Sequence, residues 1–361
     1  MQPRVVDLFC GCGGFALGAH KVGLSPTMSF DIDANLTSSI AANFPRTNLK
    51  LADLSSVVGS DIETEVGSRV DGIFGGPPCQ AFSSIGHRKP DDPRRTLLGH
   101  FYRLVKEVQP KFFVMENVEG LTYGNARSEL DEAIAQVPGH YKIIEPTVFD
   151  AADFGAATKR RRVFVIGYDP GEMNELTLSD FEAAKKPPTT VADAIADLEG
   201  AIELGIDQGF DVWQLPHGIV PSSYARSLRS ASMTFTGNQR TTHSKEVRAR
   251  FASIPPGGRD KVGRHPKLSW DGQCPTIRAG TGSDRGSFQA VRPLHPVEPR
   301  VITVREAARL QGFPDDFRFH PTIWHSYRMI GNSVSPIMAE TIFSLIANRL
   351  YRGNLIEDAA E

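Results

Sequence analysis

The sequence predicts an α/β protein built on a doubly wound parallel sheet, with a second, irregular domain inserted late in the chain. Three observations predict this. The first half alternates short apolar runs with helix-patterned stretches. Two glycine-bearing turns directly follow apolar runs, at the carboxyl strand ends where such sheets bind ligands. Residues 200–300 lose that periodicity and become rich in Gly, Pro, Ser and Arg. At 361 residues the chain also exceeds the roughly 250–300 over which one core usually grows, so one large and one smaller domain are expected.

Taken in order, RVVDLFC (4–10) reads as a strand, GCGG as a turn and FALGAHKVG (15–23) as a helix. SPTMSFDID (25–33) is a second strand and ANLTSSIAANF (34–44) a second helix. VDGIFGGPP (70–78) is a strand and turn, TLLGHFYRLVKEV (96–108) a helix, KFFVMENV (111–118) a buried strand and RRRVFVIGY (160–168) a further strand. The pattern breaks at KKPP (185–188), a boundary between domains. VREAARLQGF (304–313) returns to helix, and SVSPIMAETIFSLIANRL (333–350) is an amphipathic helix.

Hydrophobic residues make up 40% of the chain and charged residues 23%, the ordinary composition of a soluble globular protein. No apolar run reads as a bilayer span, and the start of the chain lacks a signal-peptide pattern. Four cysteines, Cys10, Cys12, Cys79 and Cys274, have neither metal-ligand nor disulfide-framework spacing, so a reducing, cytoplasmic setting and no metal are expected. Net charge is −2, but it is unevenly spread. Asp169 to Asp211 holds 11 acidic residues and two lysines; Arg226 to Arg309 holds 16 basic and six acidic residues. The basic stretch is either a phosphate-binding footprint or a solvated face.

Glycines 11, 13 and 14 in DLFCGCGGF (7–15) let the backbone turn tightly and approach a ligand closely, although the spacing is not that of the dinucleotide fingerprint. Asp31 and Asp53 end strand regions, where a carboxylate either accepts hydrogen bonds from a ribose and an adenine amine or caps a following helix. GGPPCQAFS (75–83) fixes the backbone immediately before Cys79. A thiol has a pKa of about 8.5 and attacks only from a thiolate-favouring site, which a rigid turn aimed into a ligand crevice supplies. Cys10, Cys12 and Cys274 read as buried structural residues.

Six segments together resemble the DNA cytosine-C5 methyltransferase family, in its order and spacing: DLFCGCGGF, GGPPCQAFS, ENV (116–118), KRRRV (159–163), REAARLQGFP (305–314) and GNSV (331–334). The resemblance spans residues 1–186 and about 300–350. It implies a Rossmann-like, S-adenosylmethionine-dependent methyltransferase domain of residues 1–186 and 326–361, with a target-recognition domain of 187–325 inserted before the C-terminal helix. One position departs: Thr158 stands where the family has Gln before its two arginines, and a local packing change is expected.

By resemblance Cys79 attacks C6 of a cytosine, Glu116 acts at N3 and the 4-amino group, Arg162 holds O2 and Arg160 orients the catalytic groups; Arg161 faces outward, because strand side chains alternate. Phe9, Gly11, Gly13, Asp31, Ile32, Asp53, Leu54, Pro78, Leu97, Asn332 and Val334 are the implied cofactor contacts. The cytosine must leave the duplex stack. The polar stretch 81–96 resembles the loop that closes on DNA, with Gln80, Ser83, Ser84, His87, Arg88 and Arg94 as contacts. Thr276 and Arg278, in PTIRAG (275–280), resemble a recognition element. Arg226, Arg229, Arg240, Arg248 and Arg285 are further candidates for guanine or phosphate, while Trp213, Trp270 and Trp324 read as core. The expected partner is double-stranded DNA; a cognate restriction endonuclease in no stable complex, a monomeric state and a bacterial or phage origin complete the reading. The rivals are a tRNA cytosine-5 methyltransferase, whose Cys-Phe-Thr tripeptide is absent, a nicotinamide-dependent oxidoreductase, and an inactive DNA-binding relic.

Overall fold

The computed structural model describes residues 3–78, 96–280 and 291–357. They divide into two compact units: Met1–Asp150 with Arg161–Lys185 and Ala339–Glu361, and Ala151–Arg160 with Lys186–Met338. Lys186 begins the second unit's main segment, Ala339 begins the first unit's last segment, and the short piece 151–160 groups with the second unit.

The first unit carries strands β1 (Val5–Leu8), β2 (Pro26–Asp31), β3 (Asn48–Leu51), β4 (Gly72–Gly75), β5 (Phe112–Val118), β6 (Lys142–Asp150) and β7 (Arg161–Tyr168) in one seven-stranded sheet, ordered β3-β2-β1-β4-β5-β7-β6. The strands β3, β2, β1, β4 and β5 run parallel, while β7 runs antiparallel to both β5 and β6. Helices α1 (Gly14–Lys21), α2 (Ile40–Asn43), α3 (Gly59–Val66), α4 (Thr96–Val108), α5 (Asn125–Ile134) and α6 (Leu178–Ala183) connect or flank them. Alternate strand residues Val6, Leu8, Ile73, Phe113 and Met115 pack one sheet face against Phe101, Leu104 and Val105 of α4 and Leu130 of α5. On the other face Phe15 of α1 meets Phe74 and Phe343 at ring-centroid distances of 5.0 and 5.1 Å. Helices cover both faces, which is why these strands are apolar throughout rather than alternating.

The expected helix 34–44 is mostly turn, with only Ile40–Asn43 helical. The Asp33 carboxylate accepts from the backbone N–H groups of Asn35 (2.9 Å) and Leu36 (3.1 Å), and the Thr37 and Ser38 hydroxyls bond back to carbonyls, so short polar side chains compete with helix hydrogen bonds there.

The second unit is less irregular than its composition suggests. Strands β8 (Ile202–Asp207), β9 (Phe210–Gln214) and β10 (Thr234–Thr236) form an antiparallel sheet. Helices α7 (Val191–Ile195), α8 (Ser223–Leu228), α9 (Lys245–Ala252), α10 (Val304–Gln311) and α11 (Ile323–Asn332) surround it in sequence, and α12 (Pro336–Glu357) follows. Every residue of α10 is buried, including Arg305 and Arg309. Arg309 pairs with both Asp315 carboxylate oxygens at 2.7 Å and with Asp197 at 3.1 Å, and Arg300 pairs with both Glu306 oxygens at 2.8 Å. Sequence 323–350 is long and apolar enough to cross a bilayer, but it is two helices broken at 333–335, and 67% of the apolar window is buried in protein.

Candidate active site

Strands β1 and β4 are adjacent and parallel, with Leu8 opposite Gly75, so the turns that follow them emerge side by side where the strand order reverses. A side chain at Gly75 would collide with the Leu8 carbonyl, so glycine is what lets the two strands meet there. After β1 the backbone is left-handed at Phe9 (φ 61°), Gly11 (φ 52°) and Gly13 (φ 85°). Only glycine adopts this freely; a phenylalanine held there marks strain kept at a site.

Asp31 braces this turn. One carboxylate oxygen accepts from Gly11 N–H at 2.8 Å and the other from Asp33 N–H at 2.9 Å. Burial raises its pKa, partly offset by those N–H groups. Asp7, buried beneath the turn, has an oxygen with no hydrogen-bond partner, and burial followed by the Asp31 charge pushes its pKa well up. Ile32 lies 70% exposed at the end of β2. Asp53 is exposed, and the Ser55 N–H bonded to it at 2.9 Å holds its pKa down. Leu54, by contrast, is a core side chain. Neither acid is a helix N-cap, since those positions before α2 and α3 are Ser39 and Val58. Each instead caps a local turn. Pro78 and Leu97 are half-buried.

The ENV segment ends β5. Glu116 is 7% exposed, and its Oε1 lies 3.0 Å from Arg162 Nε. Glu116 opposes Phe164 across the β5/β7 ladder, which puts Arg162, two residues along, on the same face. Had β7 run parallel, its first residues would sit at the opposite sheet edge; running antiparallel, it delivers Arg162 to the carboxyl ends. Glu116 Oε2 would be 3.1 Å from a Cβ at Gly76, so glycine there leaves the space in front of the carboxylate open. Asn117 Nδ2 donates to the Pro77 carbonyl at 3.1 Å and braces the turn entering Cys79. This brace was not singled out from the sequence, although the ENV motif carried it. Arg161 faces outward as expected, in a two-pronged bond to Glu119 with both distances 2.9 Å.

Arg160 belongs to the second unit. It is 1% exposed, donating to the carbonyls of Ile277 at 3.3 Å and Gly331 at 3.0 Å. Thr276, Arg278 and Asn332 are exposed, and Val334 is buried. Thr158 is fully buried and donates to the Cys274 carbonyl at 3.1 Å. The basic stretch is smaller at the surface than the count suggests. Arg300, Arg305 and Arg309 are interior, Arg229 pairs with Asp197 at 2.9 Å, and Arg240 pairs with Glu298 at 2.9 Å. Arg226 and Arg248 remain exposed. The three tryptophans are half-buried rather than core: Trp213 donates to Asp211 at 2.8 Å, Trp270 meets His295 edge-on, and the Arg328 guanidinium lies 5.1 Å from the Trp324 ring.

Cys10, Cys12 and Cys274 are buried, and burial pushes Cys12 and Cys274 up to about 12 and Cys10 well above its usual range, so all three stay protonated. Cys79, Gln80, Ser83, Ser84, His87, Arg88, Arg94 and Arg285 lie outside the described residues. Among the described residues no group of three or more His, Cys, Asp or Glu is placed to hold a metal ion.

The family model for C-5 cytosine-specific DNA methylases matches residues 3–348. The chain is 40% identical to the type II methyltransferase M.XorII of Xanthomonas oryzae pv. oryzae, over 97% of this chain and 85% of that one. It is 31% identical to M.DdeI of Desulfomicrobium norvegicum, over 99% and 91% respectively. Among solved structures, a prophage-encoded Escherichia coli protein described as a DNA modification methyltransferase superposes with a TM-score of 0.83 at 38% identity, covering 97% of this chain and 99% of the other. The left-handed turn after β1, the braced turn before Cys79 and the Glu116–Arg162 pair thus stand in a chain matched over nearly its whole length. The protein belongs to the C-5 cytosine-specific DNA methylase family and is a DNA (cytosine-5-)-methyltransferase.

Proposed function

We propose that the enzyme transfers a methyl group from S-adenosylmethionine to C5 of a cytosine flipped out of a short, specific duplex DNA sequence, through a covalent Cys79–C6 bond. The observation that carries this reading is the pair of buried Glu116 and half-buried Arg162 at the carboxyl edge of the sheet, beside the Gly76–Pro77 turn that precedes Cys79 in sequence.

The residues of the first unit fit the cofactor. The exposed Ile32 and half-buried Phe9 end neighbouring strands and offer apolar faces for a purine. Asp31 and Asp53 offer acceptors for ribose hydroxyls and an adenine amine, and the turn Phe9–Gly13 brings backbone close to a ligand. Gly11, Gly13, Leu54 through its backbone, Pro78 and Leu97 complete the set within the first unit; Asn332 and Val334, in the second unit, belong to the reading by family resemblance alone. When bound, the cofactor supplies a methyl group on a sulfonium.

Cytosine C5 is a poor nucleophile until the ring is activated. Cys79 thiolate adds to C6 and leaves the ring enamine-like at C5. Glu116 hydrogen-bonds N3 and the 4-amino group as charge develops, a contact that thymine cannot satisfy. Arg162 holds the ring O2 and keeps Glu116 in register through their ion pair. After transfer the C5 proton leaves and the Cys79–C6 bond breaks. The target atoms are unreachable in a stacked duplex, which is why flipping belongs to the mechanism. A restriction endonuclease acting on the same DNA sequence, a monomeric enzyme and a cytoplasmic location belong to the same reading.

The test is to express wild type and Cys79→Ser in a host lacking cytosine methylation and bisulfite-sequence its DNA. Protection of one short motif by the wild type alone is the expected result. Protection of host tRNA cytosines with none in DNA would overturn the duplex reading.

A further inference from the structure

Residues 157–160 and 274–279, far apart in sequence, lie together within the second unit as a short parallel ladder. Cys274 N–H donates to the Ala157 carbonyl at 2.9 Å, Lys159 N–H donates to the Cys274 carbonyl at 2.8 Å, and Thr158 pairs with Cys274. Side chains extend the ladder in both directions. The Thr158 hydroxyl reaches the carbonyls of Cys274 at 3.1 Å and Pro275 at 3.4 Å. The Thr276 hydroxyl donates to the Lys159 carbonyl at 2.7 Å. The Arg160 guanidinium spans the carbonyls of Ile277 and Gly331. A side chain at Gly331 would overlap the Ala279 backbone, so the segment is also closed in from α11. Thr158 and Arg160 are buried, whereas the Thr276 and Arg278 side chains stand exposed on the segment they hold.

We propose that Thr158 and Arg160 are positioning residues that set the register of Cys274–Arg278, and through it the sequence specificity of methylation. An exposed Thr and Arg on a loose extended segment would lose conformational freedom on meeting DNA; a segment already fixed loses less and presents one arrangement of donors. A guanidinium is suited to this because its planar fork spans two carbonyls in fixed geometry, which an ammonium does not. The strip 157–160 continues in sequence into Arg161 and Arg162 of β7. This inference rests on reading Thr276 and Arg278 as DNA contacts.

The experiment compares wild type, Thr158→Val, Thr158→Ser and Arg160→Lys on a duplex bearing the motif that bisulfite sequencing identifies. It reads kcat, KM for DNA, cofactor Kd by calorimetry, and methylation at near-match sites. Thr158→Val keeps the shape and the main-chain ladder and removes only the hydroxyl. It is expected to raise KM for DNA about five- to ten-fold, the worth of one lost hydrogen bond, and to increase near-match methylation at unchanged kcat and cofactor Kd. Thr158→Ser is expected to restore both, and Arg160→Lys to exceed Thr158→Val. Unchanged KM and motif fidelity in both Thr158→Val and Arg160→Lys would overturn the proposal, as would a fall in kcat at unchanged KM in Thr158→Val. Thr276→Ala and Arg278→Ala separate the two layers: if neither alters KM or fidelity, the DNA-contact reading fails and takes the proposal with it. If they do and Thr158→Val does not, the proposal alone fails.

Discussion

At the scale of single residues, the proposed chemistry turns on one carboxylate. Glu116 sits where burial would disfavour its charge, and Arg162 at 3.0 Å compensates. Glu116→Gln is expected to lower the single-turnover methylation rate by about 10²–10⁴-fold, the usual worth of positioned acid–base catalysis, while cofactor Kd stays near wild type. A loss in cofactor affinity as large as the loss in rate would contradict the assignment. The cysteines offer a second check. Three thiols are buried and held protonated, so Cys10, Cys12 and Cys274 are expected to resist alkylation in the folded protein at pH 8, read by peptide mass mapping after brief treatment. At this scale the sequence singled out Glu116, Arg162 and the glycines of the first turn, and the structure pairs the first two and shows the turn left-handed at Gly11 and Gly13. Asn117's bond to Pro77 and Thr158's bond to Cys274 were not, since each joins residues 40 or 116 positions apart.

At the scale of elements, charge and periodicity pulled in different directions. VREAARLQGF reads as a helix, and α10 is that helix, but every residue of it is buried: Glu306 and Arg309 are ion-paired inside the protein, and Arg305 donates to the carbonyls of Thr236, Pro314 and Phe317. The capping box of Thr303 and Glu306 starts it, and Arg300 closes over Glu306. Removing one partner of such a pair strands a buried charge. Asp315→Ala, which leaves Arg309 beside Asp197 alone, is expected to cost about 3–5 kcal/mol in denaturant unfolding. A cost below about 1 kcal/mol would mean water reaches Arg309. The same blindness to pairing explains why counting arginines between 226 and 309 overstated the basic surface. Strand existence was readable from apolar runs, whereas the antiparallel direction of β7 was not, because both directions bury the same alternating side chains.

At the scale of the whole molecule, pH dependence follows from the sum of such pairs. Burial alone would raise the Glu306 carboxyl, but Arg300 outweighs it and the net pKa is lowered; Glu298, Glu172 and Glu119 are lowered likewise, Glu298 and Glu172 against opposing burial. A group whose folded pKa is depressed stabilises the fold above its unfolded pKa and loses that contribution as pH falls through the folded value. Asp7 and Asp31, raised by burial, act in the opposite sense. The stability difference between wild type and Glu306→Gln is therefore expected to be full near neutrality and to shrink steadily below about pH 5. A difference independent of pH would show that Glu306 is not the group titrating.

By itself the sequence determined the fold class and the family, and it supplied the expectations of a boundary near Lys186 and of the reacting groups. These depend on local turn chemistry and on short motifs whose order along the chain is already information. Only the tertiary structure decided which carboxylate meets which arginine, that Asp31 braces the Gly11 turn, that Arg300, Arg305 and Arg309 are interior, and that Thr158 and Arg160 bond to the 274–278 segment. Those facts are distances between residues remote in sequence. They are set by strand order, strand direction and close packing, and no periodicity within a single stretch of chain encodes them.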